Sequence, residues 1–201
     1  MDDLDYIRQP AALASILERT RALSFNMASE PRTGALLRAL AASKPSSHLL
    51  ELGTGTGIAT AWLLSGMDGN STITSVDTDP QVQAVARECL GSDPRLSLVT
   101  EDGASFLRRQ PSQSFDLVFA DAMPGKYDAL DDALAVVKSG GFYIIDDMLP
   151  QPNWPEGHAE KVPVLLDRLT ADHRFVVAPL TWASGVVVAA RRPAPPRDNK
   201  T

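Results

Sequence analysis

The chain alternates apolar stretches of two periods. Leu13, Ile16, Leu17 and Thr20 recur at helical spacing, as do Leu36, Leu37 and Leu40, and predict two helices before the first strand. His48 to Leu52 then reads as a strand, followed by a glycine-rich turn and a helix carrying Ala59, Ala61, Trp62 and Leu63. Thr72 to Val76, Leu96 to Thr100, Phe115 to Ala120 and Phe142 to Ile145 are further short runs rich in Val, Ile, Leu and Phe. Helical segments separate them: one opened by Pro80, a short one with Phe106 and Leu107, and one over Leu130 to Val137 that Gly140-Gly141 should end. A helix over Ala159 to Leu169 leads to the strands Phe175 to Leu180 and Val186 to Arg191.

Connection lengths convert this order into a topology. Strands linked through helices pair in parallel by right-handed crossovers, and strands apolar along their whole length suit a sheet covered on both faces. Thr181 to Gly185 is too short for a helical crossover, so the last two strands should run antiparallel. The expected fold is α/β: a mostly parallel seven-stranded sheet with an antiparallel last strand and helices on both faces.

Length and composition add bounds. The 201 residues suit one domain, read here as 1–192, with a disordered tail at 193–201 where Pro and charge replace apolar anchors. A formal net charge of −6 argues against a nucleic-acid partner, and a small-molecule partner is expected instead. Cys89 is the single cysteine and lies in the helical pattern Val82, Val85, Ala86, Leu90, so it reads as core. The acidic start Met1-Asp2-Asp3 does not resemble a signal peptide, and no run of 18 apolar residues occurs. A cytoplasmic protein with no membrane partner is expected.

The most informative stretch is Glu51-Leu52-Gly53-Thr54-Gly55-Thr56-Gly57, between a strand and a helix. Glycines there allow a tight turn and close approach of a ligand, and the helix N-terminus adds free N–H groups and positive potential. A dinucleotide fingerprint would place its third glycine at position 58, which is Ile58, and a Walker loop needs a lysine absent between Lys44 and Lys126. Asp77 ends the next strand; it can accept both hydroxyls of a ribose or cap the following helix.

These residues resemble the class I S-adenosylmethionine (SAM)-dependent methyltransferases, and within them the catechol and caffeoyl-CoA O-methyltransferase family. The narrower resemblance rests on Met27 to Gly34, on Phe115 to Asp121, on Gly140 to Asp147, and on Glu101-Asp102-Gly103-Ala104. It implies a Rossmann-like methyltransferase fold. It also implies SAM held by Met27, Glu51, Gly53, Thr54, Gly55, Gly57, Asp77, Asp102, Gly103, Ala104 and Asp121, and a divalent cation (Mg²⁺, Mn²⁺ or Ca²⁺) held by Asp121, Asp146 and Asp147. Where the family pattern has Asp-Asn, this chain has Asp146-Asp147. Where it has a lysine three residues after the first metal aspartate, this chain has Pro124, with Lys126 nearby.

Methyl transfer from a sulfonium needs an oxygen nucleophile held in line with the departing sulfur and relieved of its proton. A bound cation can do both, and oxygen-only ligands suit a hard one; otherwise Asp146 and Asp147 cap a helix or face solvent. Asp121, Lys126 and His158 are the catalytic candidates, the last two having plain alternatives as a solvated loop lysine and an exposed helix-start histidine. The resulting expectation is a SAM-dependent O-methyltransferase acting on a small, catechol-like or phenolic hydroxyl with metal assistance. Its rivals are a metal-independent small-molecule methyltransferase and a non-catalytic SAM-binding module. The N-terminal helix could serve a homodimer, as in the family's relatives.

Overall fold

A computed structural model of the protein describes residues 2–193; the expected tail lies outside them except for Pro193. Seven strands form one sheet in the order β3-β2-β1-β4-β5-β7-β6. They are β1 (His48–Leu52), β2 (Thr72–Asp77), β3 (Leu96–Thr100), β4 (Phe115–Ala120), β5 (Val137–Ile145), β6 (Phe175–Leu180) and β7 (Val186–Arg191). Pairings from β3 through β5 are parallel, and β7 is antiparallel to both neighbours, as the short connection required.

The helices are α1 (Leu13–Ala22), α2 (Pro31–Ala42), α3 (Ile58–Gly66), α4 (Pro80–Leu90), α5 (Gly103–Arg108), α6 (Met123–Lys126), α7 (Leu130–Val136) and α8 (His158–Ala171). Side chains alternate across a strand, and the core divides accordingly. Leu49, Ile73, Leu117, Phe119 and Ile144 pack with residues of α1 to α4. Leu50, Leu52, Val118, Ala120, Tyr143 and Ile145 pack with residues of α5, α7 and α8. Fully burying each such Leu or Phe stabilises the fold by about 2 kcal/mol, so burial on the two faces of the sheet supplies most of the stabilisation. Cys89 packs at the edge of the first cluster.

One boundary differs from the sequence expectation. β5 begins at Val137, and Gly140-Gly141 lie inside it rather than ending α7. Val137 pairs with Phe115, the register shifts before Leu117 meets Phe142, and Gly140 takes φ +75° in that irregularity. The glycines thus mark a bulge, the other use of a left-handed residue.

The register aligns the strand ends that carry the chemistry. Leu52 pairs with Ala120, and Ala120 with Ile145, so Gly53, Asp121 and Asp146 leave three adjacent strands side by side at the carboxyl edge, where open α/β sheets bind ligands.

Candidate active site

The glycine turn is shaped for close approach. Gly53, Gly55 and Gly57 have φ of +100°, +51° and +91°, a region that costs other residues steric strain. A Cβ on Gly53 would stand 2.7 Å from the Asp121 carbonyl oxygen, and one on Gly57 2.7 Å from the Ala86 Cβ. The Gly55 N–H donates to Asp77 Oδ2 at 2.7 Å, while Asp77 Oδ1 accepts from the Asp79 N–H at 2.9 Å.

Beneath the turn runs a buried polar chain. Gln83 Nε2 donates to Thr54 Oγ1 at 3.1 Å, Thr54 and Ser75 share a 2.6 Å hydrogen bond, and the Ser75 hydroxyl donates to Glu51 Oε2. Thr60 donates to the same oxygen at 2.5 Å, and Glu51 Oε1 has no partner. Burial pushes the Glu51 carboxyl up to about 8, against the opposing Ser75 and Thr60 bonds. Glu51 therefore supports the turn from below and lines neither of the cavities described next.

A cavity of about 340 Å³ lies over the turn, lined among others by Phe25, Met27, Gly53, Thr54, Gly55 and Asp77. A second, of about 460 Å³, holds Asp121, Lys126, Asp146, Asp147, Trp154 and His158. Met27, Ala28, Ser29, Asp121, Ala122 and Met123 line both, so the two adjoin at Asp121. Asp102, Gly103 and Ala104 line neither; Asp102 caps α5 by accepting the Ser105 N–H at 2.8 Å. All five expected catalytic and metal residues thus come together, and of the expected cofactor residues Met27, Gly53, Thr54, Gly55, Asp77 and Asp121 do.

Asp121, Asp146 and Asp147 each have one oxygen held by protein donors. Asp146 Oδ1 accepts from the Ser184 hydroxyl, from Thr33 Oγ1 at 3.4 Å and from the Asp147 N–H at 2.8 Å. Asp147, at φ +64°, accepts Trp154 Nε1–H at 2.6 Å. Asp121 Oδ2 accepts from Ser29 Oγ at 3.2 Å, and its Oδ1 is 3.9 Å from Lys126 Nζ. Burial and the neighbouring Asp146 charge push the Asp121 carboxyl up to about 7 against the pull of Lys126. Burial likewise raises Asp146. Among the described residues no three His, Cys, Asp or Glu side chains are grouped to hold a metal ion.

Lys126 is buried, with 3% of its surface exposed, which requires an irregular backbone. Within α6 Pro124 is extended and Gly125 sits at φ +86°. A Cβ on Gly125 would collide with Leu52, and the Gly125 carbonyl accepts the buried Tyr143 hydroxyl. The kink turns Lys126 inward. His158 is buried too: Nε2 shares a 3.0 Å hydrogen bond with the Tyr127 hydroxyl, and the ring stacks on Trp154. Burial, then the Lys126 charge, lowers its pKa, so the imidazole is neutral near pH 7. The exposed helix-start reading of His158 does not hold, nor the solvated reading of Lys126.

Phe25, Ser29, Ser184 and Tyr127 were missed from sequence. Ser29 lies within the Met27 to Gly34 stretch; the others are brought in by tertiary contacts that no local pattern announces. No helix of the described residues is long and apolar enough to cross a membrane.

Residues 50–148 match the family model of a methyltransferase domain. A protein of Mycobacterium ulcerans (strain Agy99) named "Putative O-methyltransferase" is 30% identical over 184 residues, spanning 86% of this chain and 82% of its own. The O-methyltransferase TomG from Streptomyces achromogenes, solved in complex with SAM, superposes with a TM-score of 0.79 at 19% identity over 92% of each chain. The O-methyltransferase from Bacillus cereus in complex with SAH gives 0.79 at 18% identity over 92% of this chain and 93% of its own. At such identities the two structures speak for the fold, while the sequence relative speaks for the family: this chain belongs to the SAM-dependent O-methyltransferases.

Proposed function

We propose that the protein transfers the methyl group of SAM to a hydroxyl of a small phenolic or otherwise hydroxylated aromatic molecule. The observation that carries this reading is the pair of adjoining cavities sharing Asp121 and the Met27-Ala28-Ser29 segment. One has the glycine turn and the Asp77 carboxylate that suit a nucleoside; the other has a volume in the range of small-molecule sites. A methyl donor in the first faces an acceptor in the second across Asp121.

The turn, Asp77 and Met27 to Ser29 would hold SAM, Asp77 taking the ribose hydroxyls. The acceptor ring lies along the Trp154 and His158 wall, between Met27 and Met123. Its hydroxyl meets the Asp121 carboxylate and the Lys126 ammonium. As the new O–CH₃ bond forms, the S–CH₃ bond breaks, sulfur keeps the electron pair, and the hydroxyl proton passes to Asp121. Lys126 stabilises the developing negative charge on oxygen in a site largely screened from water. A carboxyl near 7 suits a proton acceptor working at neutral pH.

As arranged, Asp121, Asp146 and Asp147 are not grouped to hold the expected divalent cation, and one oxygen of each accepts from a hydroxyl, amide or indole donor. The transfer described above runs without it.

Calorimetry with SAM, followed by transfer of a labelled methyl group to a panel of phenols and catechols, tests the reading. Micromolar SAM binding and product formation on a subset of phenols are expected. No heat with SAM or its demethylated product at millimolar concentration would end it.

A further inference from the structure

We infer that Asn153, on the loop that walls the second cavity, is a positioning residue: it latches the segment Phe25 to Ser29 over the cofactor cavity, and cofactor enters and leaves only when this latch opens. The inference rests on the methyltransferase reading above but concerns how cofactor is exchanged.

Three observations carry it. First, residues 25–30 join α1 to α2 and belong to no helix or strand. Phe25 lines the cavity over the glycine turn, Asn26 lines the second cavity, and Met27, Ala28 and Ser29 line both. Second, the segment is anchored at its ends and lightly held between them. At one end the Phe25 N–H donates to the Thr20 carbonyl at 3.2 Å, and Thr20 shares a 2.8 Å hydrogen bond with Thr56 of the turn. The Phe25 ring lies against Gly55, where a Cβ would stand 3.3 Å from two ring atoms. At the other end Ser29 Oγ donates to Asp121 Oδ2. Among the described residues, Asn26, Met27 and Ala28 have a single hydrogen bond, from Asn153 Nδ2 to the Asn26 carbonyl at 2.9 Å. The Met27 side chain is 65% exposed and adds little packing. A stretch with so few contacts opens locally at small cost. Third, the other half of the latch is firm. Asn153 precedes Trp154, which is stacked on His158 and bonded to Asp147. Asn153 itself lines only the second cavity, so its effect on cofactor passes through the segment. A latch has its own kinetic signature. Ligand crosses only the open form, so weakening the latch raises entry and exit by the same factor, whereas loss of a direct contact raises exit alone.

The test is surface plasmon resonance of SAH on the immobilised full chain, which reads both rate constants. Asn153→Ala should raise the association and dissociation rates together by about 2- to 12-fold, leaving the dissociation constant within about twofold. Asn153→Asp keeps the size of the side chain but cannot donate to the Asn26 carbonyl, and should do the same; it decides the matter if the Ala variant does not fold. SAH lacks the sulfonium charge, so the added carboxylate does not act on it as on SAM. Wild-type rates in either folded variant, or a rise in the dissociation rate alone, would each overturn the assignment. Failure of SAH to bind the wild type would instead strike the methyltransferase reading, so the two are separable.

Discussion

The Trp154 indole stacks on the His158 imidazole with centroids 4.3 Å apart and planes inclined by 24°. The stack is anchored at both ends, by Trp154 Nε1–H to Asp147 and by His158 Nε2 to Tyr127, whose ring meets the imidazole edge-on. The loop after β5 is thereby fixed as an aromatic wall of the second cavity. It is also tied across the cavity mouth, since Asn153 Nδ2 donates to the Asn26 carbonyl at 2.9 Å.

A stacked aromatic wall contributes about 0.5–1.5 kcal/mol beyond its buried area. Trp154→Ala is therefore expected to raise the acceptor KM by about 2- to 12-fold while leaving SAM affinity within twofold. Trp154→Phe, which keeps the ring and loses only the Asp147 bond, should recover most of the loss. Steady-state kinetics varying each substrate in turn decides this. Equal damage to both KM values would show that Trp154 holds the fold and not the acceptor.

Asp77 presents two oxygens at the end of β2, held by the Gly55 and Asp79 N–H groups. Each ribose hydroxyl would add a charge-assisted bond of about 1.5–3 kcal/mol. Asp77→Asn keeps one oxygen for Gly55 but exchanges an acceptor and the charge, so SAM affinity should fall about 10- to 100-fold by calorimetry. An unchanged dissociation constant would leave Asp77 as a turn-holding residue alone.

The pH profile follows from Asp121. Its carboxyl is pushed up to about 7, and only the ionised form accepts a proton. Turnover should therefore be low at pH 5.5, rise through about 7 and level off above it. Asp121→Asn should remove most of the activity at every pH. A rate flat from pH 5.5 to 8.5 would assign the proton to another acceptor.

How much of this was readable in advance depends on how local each feature is. The strands and the glycine turn announce themselves because apolar period and Gly53, Gly55 and Gly57 encode backbone geometry within a few residues. The placing of Asp121, Asp146 and Asp147 at the carboxyl ends of two strands was also legible from the strand pattern, and their joint role from the family resemblance. The inward aim of Lys126 was not, because it depends on Gly125 pressing on Leu52 and on Tyr143 from another strand. Nor was the engagement of Asp146 by Thr33 and Ser184, which lie 113 and 38 residues away. Gly140-Gly141 misled for a local reason: a left-handed glycine serves a helix end and a strand bulge equally well.

Glu51 gives a stability prediction with a definite sign. Its carboxyl is buried with Oε1 unpartnered and is pushed up to about 8, against an ordinary value of 4.5. The folded protein thus binds a proton that the unfolded chain releases between these two values. The stability this group contributes is fully present below about pH 4.5 and is lost as pH rises toward 8, by at most about 1.4 kcal/mol per pH unit for one proton. Glu51→Gln mimics the protonated form, because its carbonyl oxygen can still accept from Ser75 and Thr60, and it does not ionise. Denaturant unfolding at pH 5.5 and 8.5 should show the wild type losing more stability than the Gln variant over that interval, the gap between them being smaller at pH 5.5 than at 8.5. Parallel losses would mean that Glu51 ionises at its ordinary value, relieved by water or by a shift of the turn above it.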